Sequence, residues 1–246
     1  MRTFLALFKR ELATYFMSPA AYVTMVVTLI VTGAGFWLQI TLPTDEPFRA
    51  EVAVFLLPTL WLMALIMATA LTMRLFAEEK KAGTLESLMT VPVTETQVVL
   101  GKYFAALAMY ILTFLPTISY IFLARKFSFG IEKPDIGALC AGYLVFFLSG
   151  AFYLATGLAV SSMCRNQITA AVVSFALLCG LFLIAALLPF VLTGTPAEVA
   201  LFLSAAEHMK EAGRGVIDSR PLILYVSGTI FMLFATVKIL ESRRWI

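Results

Sequence analysis

Glu78, Glu79, Lys80 and Lys81 form the densest block of ionisable side chains in the chain, inside the stretch AEEKKAGTLESLMTVPVT at residues 77–94. Adjacent glutamates can supply a general base beside a metal-bound water, but that chemistry needs nitrogen or sulfur ligands at defined spacing. The chain has a single histidine, His208, with no second His or Cys at ligand spacing. A serine nucleophile needs a base beside it, and the sequence offers none. No G-x-x-x-x-G-K-[ST] loop is present, so the chain cannot hydrolyse ATP by that route. The three cysteines, Cys140, Cys164 and Cys179, lie in or beside apolar runs. Their odd number argues against a full disulfide framework and suits small packing residues. A membrane-embedded enzyme would need a buried constellation that this sequence does not offer.

What must position the charged block is a set of apolar segments. The hydrophobic fraction is 61% and the charged fraction 13%, and mean hydropathy is +0.94. Soluble domains carry about 25% charged residues, so the composition belongs to a chain that lives in lipid. The basic residues are too scattered for a nucleic-acid patch, and no nucleic-acid partner is expected. The predicted fold is all-α and polytopic, with six transmembrane helices and an N-terminal amphipathic helix lying in the membrane interface.

That first helix is read over residues 1–16. Phe4, Leu5, Phe8, Leu12, Tyr15 and Phe16 follow helical spacing, with Lys9, Arg10 and Glu11 on the other side. The apolar run behind it is too long for the core of a signal peptide and reads as a retained span. Spans are expected at residues 19–42, 52–73, 96–124, 136–160, 168–192 and 222–240, all within a single transmembrane domain covering 1–246. Ser18-Pro19 suits a helix start, and TETQ at residues 94–97 has capping-box spacing. SSMCRNQ is expected to be a tight turn after the fourth span.

The six span interiors lack Asp, Glu, Lys, Arg and His, which weighs against a proton- or ion-coupled carrier. Energy for any uphill movement must then come from elsewhere. Phe36, Trp37, Trp61 and Tyr143 suit interfacial belts or packing. The longer connection at 193–221 is expected to be extracytoplasmic or re-entrant, with Val199, Leu203 and Ala206 on one side of a helix. Glu198, Glu207, Lys210 and Glu211 form its polar part, and His208 reads as solvated or interfacial. An even number of spans puts both termini on one side. That side also holds the 75–94 loop and the Arg165 turn, and it collects the larger share of Lys and Arg. Both termini are therefore expected in the cytoplasm.

Within the loop, Leu85, Leu88 and Met89 fall at i, i+3 and i+4 and share one helical face. Gly83 can end the preceding turn, Pro92 ends this one, and Lys80, Lys81 and Glu86 form a polar rim. The pattern describes a short amphipathic helix that either rests on the membrane surface or docks into a groove on a soluble partner. Lys102 stands near the start of the third span, where lipid headgroups are its default partner and the loop acids the other option.

The order E-x-x-x-G-T-L-E-S-L-M-T-V-P-V followed by L-G-K resembles the signature of type 2 ABC transporter permeases. The residues that carry it are Glu79, Gly83, Thr84, Leu85, Glu86, Leu88, Pro92, Gly101 and Lys102. A second stretch, GRGVIDSR at residues 213–220, resembles a segment of the subgroup associated with gliding motility and nitrous oxide reductase maturation. The resemblance implies a permease in a bacterial inner membrane, working as a homodimer or as a heterodimer with a related chain. It implies a separate ABC ATPase subunit carrying ATP and Mg, with no cofactor bound by this chain. Glu79, Gly83, Thr84, Leu85, Glu86, Leu88, Met89 and Pro92 would then form the coupling contact. The first helix, with Phe8, Lys9, Arg10 and Glu11, would be a connector that shares the load. The family also implies contacts with membrane lipids and an extracytoplasmic accessory protein as a partner option for residues 193–221. A transmembrane scaffold that an ATPase drives without solute transport shares all of these loop expectations.

Overall fold

Each long apolar run folds as helix, the one conformation besides a closed barrel that satisfies every backbone polar group in lipid. The computed structural model describes residues 2–41, 51–84, 94–127, 136–191, 195–216 and 218–242. In chain order the elements are α1 (Arg2–Met17), α2 (Pro19–Thr41), α3 (Glu51–Thr72), α4 (Ala77–Lys81) and α5 (Glu95–Phe114). A 3-10 turn (Leu115–Ile118) then leads into α6 (Ser119–Phe127). The remaining helices are α7 (Ile136–Met163), α8 (Gln167–Val191), α9 (Thr195–Leu203), α10 (Ala205–Gly213) and α11 (Ser219–Ser242). Six of these stretches are long and apolar enough to cross a membrane.

The six spans differ in role. Those built on α3, α5 and α7 are mostly buried, whereas α2, α8 and α11 leave most of their surface open. The open faces are apolar, with Val26, Ile30, Val172, Ile184, Ile230 and Phe231 among their exposed side chains, as lipid-facing helices require. α7 is the hub, packing against α11, α3, α8 and α10. Phe36, Trp61 and Tyr143 are buried packing residues, while Trp37 is exposed. Cys164 and Cys179 are half-buried, and Cys140 is exposed rather than packed.

The third span is not one continuous helix. Pro116 has no N–H to donate and interrupts the ladder, so the chain passes through the 3-10 turn between α5 and α6. Side chains satisfy the freed carbonyls. Thr117 Oγ1 donates to Phe114 O at 2.6 Å, and Tyr143 OH donates to Thr117 O at 2.8 Å. α7 also continues to Met163, so the first three residues of the expected SSMCRNQ turn are helical.

Lipid tails are as apolar as Leu side chains, so helices in a bilayer are held by close packing and hydrogen bonds rather than by burial from water. Small residues let backbones approach. A Cβ at Gly157 would collide with Thr72 Oγ1 and stand 3.0 Å from Thr72 Cβ, fixing the α3–α7 crossing. Tyr110 occupies the space over Gly150 in the same way. Gly157→Ala is expected to cost about 1–3 kcal/mol through overpacking, with Thr72→Ala recovering part of it. Thermal unfolding of the detergent-purified variants measures this, and an unchanged Gly157→Ala midpoint would contradict the crossing.

Candidate functional site

Near the end of α3 the helix loosens through residues 73–76 before α4 begins, and this leaves backbone groups to be satisfied from outside. Tyr15 OH on α1 donates to Leu71 O at 2.7 Å. Ser161 Oγ on α7 accepts from Phe76 N at 3.2 Å and Ala77 N at 3.3 Å, and donates to Met73 O at 3.3 Å. Lys80 Nζ donates to Ser162 O. The start of the charged loop is therefore pinned to α7 through main-chain groups and serine hydroxyls. Burial pushes the Tyr15 phenol well above its ordinary value, the Glu11 charge adding and Arg74 opposing, so the hydroxyl stays a donor.

On the opposite side the pin is electrostatic. Lys102, in the second turn of α5, is only 2% exposed. Its Nζ lies 2.7 Å from Glu79 Oε1 on α4 and 3.3 Å from Glu11 Oε2 on α1. The ring of Phe76 sits 5.4 Å from the same nitrogen. Arg10 closes the group from the exposed side, 2.7 Å from Glu11 Oε1 and 3.6 Å from Glu79 Oε1. The residue before Lys102 makes this reachable, because a Cβ at Gly101 would press on Leu7 Cβ at 3.3 Å. Gly101 brings α1 onto α5, and Lys102 ties both to α4. One loop acid, Glu79, and one acid of α1, Glu11, are the partners of Lys102, and not the default of lipid headgroups.

The first helix departs from its expected faces. Glu11 points inward and is 7% exposed, whereas Leu5 and Phe16 are exposed. Lys9 and Arg10 are exposed and Phe8 is half-buried against the core. The buried set on α1 is Glu11 and Tyr15, at i and i+4, flanked by Leu7, Phe8 and Leu12.

After α4 the chain reaches Gly83 at φ +70, with open space around its missing Cβ. Glycine is needed there for backbone conformation alone, as the left-handed residue that stops a helical turn. Thr84 Oγ1 donates to Glu79 O at 3.3 Å. Leu85, Glu86, Leu88, Met89 and Pro92 lie outside the described residues. The chain resumes at Thr94, whose side chain accepts from Gln97 N at 3.3 Å and caps α5.

At the other end of the bundle the connection after α8 forms two helices broken at Ser204. That residue caps α10 by accepting from Glu207 N at 3.4 Å. Val199, Leu203 and Ala206, the expected apolar side, are exposed. The packed residues are instead Ala200, Ala205, His208, Met209 and Ala212. His208 is neither solvated nor interfacial, with 4% of its surface exposed. A carbonyl can only accept, so Nε2–H donates to Phe202 O at 3.0 Å and Nδ1 accepts from Tyr225 OH at 2.9 Å. The ring thereby joins α9, α10 and α11 as neutral imidazole. Of the stretch GRGVIDSR, Gly213 ends α10, Gly215 takes φ +82, and Ser219 and Arg220 open α11, where Asp218 Oδ1 accepts from Arg220 N at 3.0 Å; Ile217 lies outside the described residues.

Six apolar spans around a buried charged node define a polytopic membrane protein with no catalytic constellation in view; among the described residues no group of three or more His, Cys, Asp or Glu could hold a metal ion. Residues 36–205 match the family described as ABC-2 family transporter protein, and the chain belongs to that family. Membership makes it the permease component of an ABC transporter and implies a nucleotide-binding ATPase as its partner. No curated protein matches the chain.

Two outcomes follow from this geometry. Lys102→Met leaves Glu11 and Glu79 facing each other without their buried cation, and is expected to cost about 3–5 kcal/mol. Adding Glu11→Gln and Glu79→Gln should return much of that loss, as read from thermal unfolding in detergent. Full stability of Lys102→Met alone would contradict the node. Burial lowers the His208 pKa from 6.5, against the opposing hydrogen bond to the Phe202 carbonyl and the charges of Glu211, Asp218 and Glu207. The open or unfolded state therefore takes up the proton first. The contribution of His208 is intact above about pH 6.5 and is lost as pH falls through the lowered native value. Hydrogen exchange across residues 195–213, corrected for intrinsic rates, should accelerate between about pH 7.5 and about pH 5.5, and His208→Gln should abolish the change.

Proposed function

We propose that this chain is the membrane-spanning subunit of an ATP-driven type 2 ABC exporter or mechanical transducer in the bacterial inner membrane, with both termini in the cytoplasm. ATP and Mg reside on the separate ATPase. Residues 83–92 act as the coupling helix, with Leu85, Leu88 and Met89 entering the ATPase cleft and Glu86 and Thr84 on its rim. Gly83 and Pro92 bound this knob. α1 is the interfacial connector that loads together with it. Two permease chains, identical or related, pair around the path, and residues 193–221 cap the far side. GRGVIDSR supports the finer assignment to the gliding-motility and nitrous-oxide-reductase-maturation subgroup.

The observation that carries this reading is the Lys102 node. A motor can move spans only if its contact point is stiffly joined to them, because a loose loop absorbs the displacement instead. Glu79 stands four residues before Gly83 and is held by Lys102 of the third span. Ser161 and Ser162 of the fourth span hold the same segment from behind. A push on the knob is thereby delivered to α1, α5 and α7 together, as rigid-body motion requires.

Leu88→Asp puts a charge on the docking face without touching the node. The variant is expected to insert and unfold like the parent, yet to lose co-purification with the ATPase. ATPase association at the parental level would overturn the coupling assignment.

A further inference from the structure

A cavity of about 600 Å³ opens beside the Lys102 node, between α1, the end of α3, α4 and α5. Its charged lining is balanced, with Arg10, Arg74 and Lys102 against Glu11, Glu78 and Glu79. The node consumes Arg10, Lys102 and Glu11. Two charged groups are left incomplete. Arg74 donates from Nη1 to Ser18 Oγ at 2.6 Å, while its Nε is buried without a hydrogen bond among the described residues. Arg74 also has no carboxylate within ion-pair distance among those residues. Glu79 gives Oε1 to Lys102, and its Oε2 is buried without a hydrogen bond among the described residues. Glu78 lines the same space, exposed and with no ion pair among the described residues. Leaving a buried charged group short of a partner costs about 1–3 kcal/mol, so a cation and a carboxylate both left short in one cavity describe a dipolar occupant.

We propose that the cavity binds the phosphoethanolamine headgroup of a membrane phospholipid, its phosphate on Arg74 and its primary ammonium on Glu78 and Glu79. The volume lies within the range of about 300–1,000 Å³ typical of small-molecule sites. The surroundings select a lipid over a soluble solute. Thr14 is on the cavity wall, and the next corner of the chain presents Phe16 and Met17, the latter 83% exposed. From there the open apolar face of α2 runs on through Tyr22, Val23 and Val26, a path for acyl chains leading away from the headgroup. A quaternary choline has no N–H for the carboxylates. A glycerol headgroup leaves the lipid with a net negative charge, facing three glutamates and lacking the ammonium. Ethanolamine supplies both ends. The proposal rests on reading α1 as an interfacial helix and is independent of the ATPase contact, which Leu88→Asp tests separately.

Native mass spectrometry of the detergent-purified full chain, supplied with phosphatidylethanolamine, phosphatidylcholine or phosphatidylglycerol of matched acyl chains, reads the occupancy. One phosphatidylethanolamine per chain should be retained, with about tenfold preference over the other two lipids. Arg74→Gln should lower retention of all three, and Arg74→Lys should restore it. Glu78→Gln, a change at an exposed side chain that does not threaten folding, should remove the preference for ethanolamine while leaving phospholipid retention. Equal retention of the three lipids by the parent protein would overturn the proposal. So would displacement by soluble phosphoethanolamine at the lipid's own concentration, which would assign the cavity to a small solute. Loss of ATPase association in Arg74→Gln with lipid retention intact would assign the cavity to the protein partner and overturn it equally.

Discussion

An ammonium group buried to 2% exposure is the constraint around which this end of the molecule is arranged. Removing a charge from water costs several kcal/mol even after relaxation, and only close partners in good geometry offset it. Lys102 obtains those partners from two elements far apart in sequence, Glu11 on α1 and Glu79 on α4. Glu11 comes within reach through Gly101, whose missing side chain lets α1 lie on α5. The glycine and the lysine act as one device: the first sets the helix separation, and the second locks it by charge. The adjacent cavity with its incomplete Arg74 and Glu79 belongs to the same arrangement.

The rest of the bundle follows the economy of lipid-embedded helices. With no water to drive apolar surfaces together, α3, α5 and α7 are joined by small-residue crossings and by hydroxyls that complete broken helical ladders. Ser161 serves the loosened end of α3, and Tyr143 serves the break at Pro116. Trp61 Nε1 donates to Tyr153 OH at 2.5 Å across α3 and α7. At the far end, His208 performs the same task for α9 and α11. At these three places a side chain from a neighbouring helix meets the irregular backbone.

Much of this was legible from residue pattern. Apolar runs of bilayer length announce six long helices, and Gly83 announces the end of a turn that its left-handed backbone bears out. Other features were hidden because they depend on which helices become neighbours. On a helical wheel Glu11 sorts with Lys9 and Arg10 as solvated charge, since nothing in the local pattern reveals a lysine ninety-one positions later at 102. The signal that could have exposed it was Lys102 itself, a cation within the expected 96–124 span that the reading of charge-free span interiors passed over, and which needs a buried partner. His208 was misjudged for a related reason. Periodicity on either side of Ser204 reads as one helix, and the break there rotates the packed face from Val199, Leu203 and Ala206 to Ala205, His208 and Met209.

The central claim is that Lys102 makes α1, the loop start and the third span move as one body when the ATPase acts. Spin labels at Ala13→Cys on α1 and Lys81→Cys on α4, with Cys140, Cys164 and Cys179 replaced, report the distance across the node. Measured by pulsed electron resonance in the complex with the ATPase, that distance should stay narrow and unchanged between nucleotide-free and ATP-bound states. In Lys102→Gln it should broaden in both. A distribution in the parent protein that is already broad, or that shifts with ATP as far as it does in Lys102→Gln, would contradict the account.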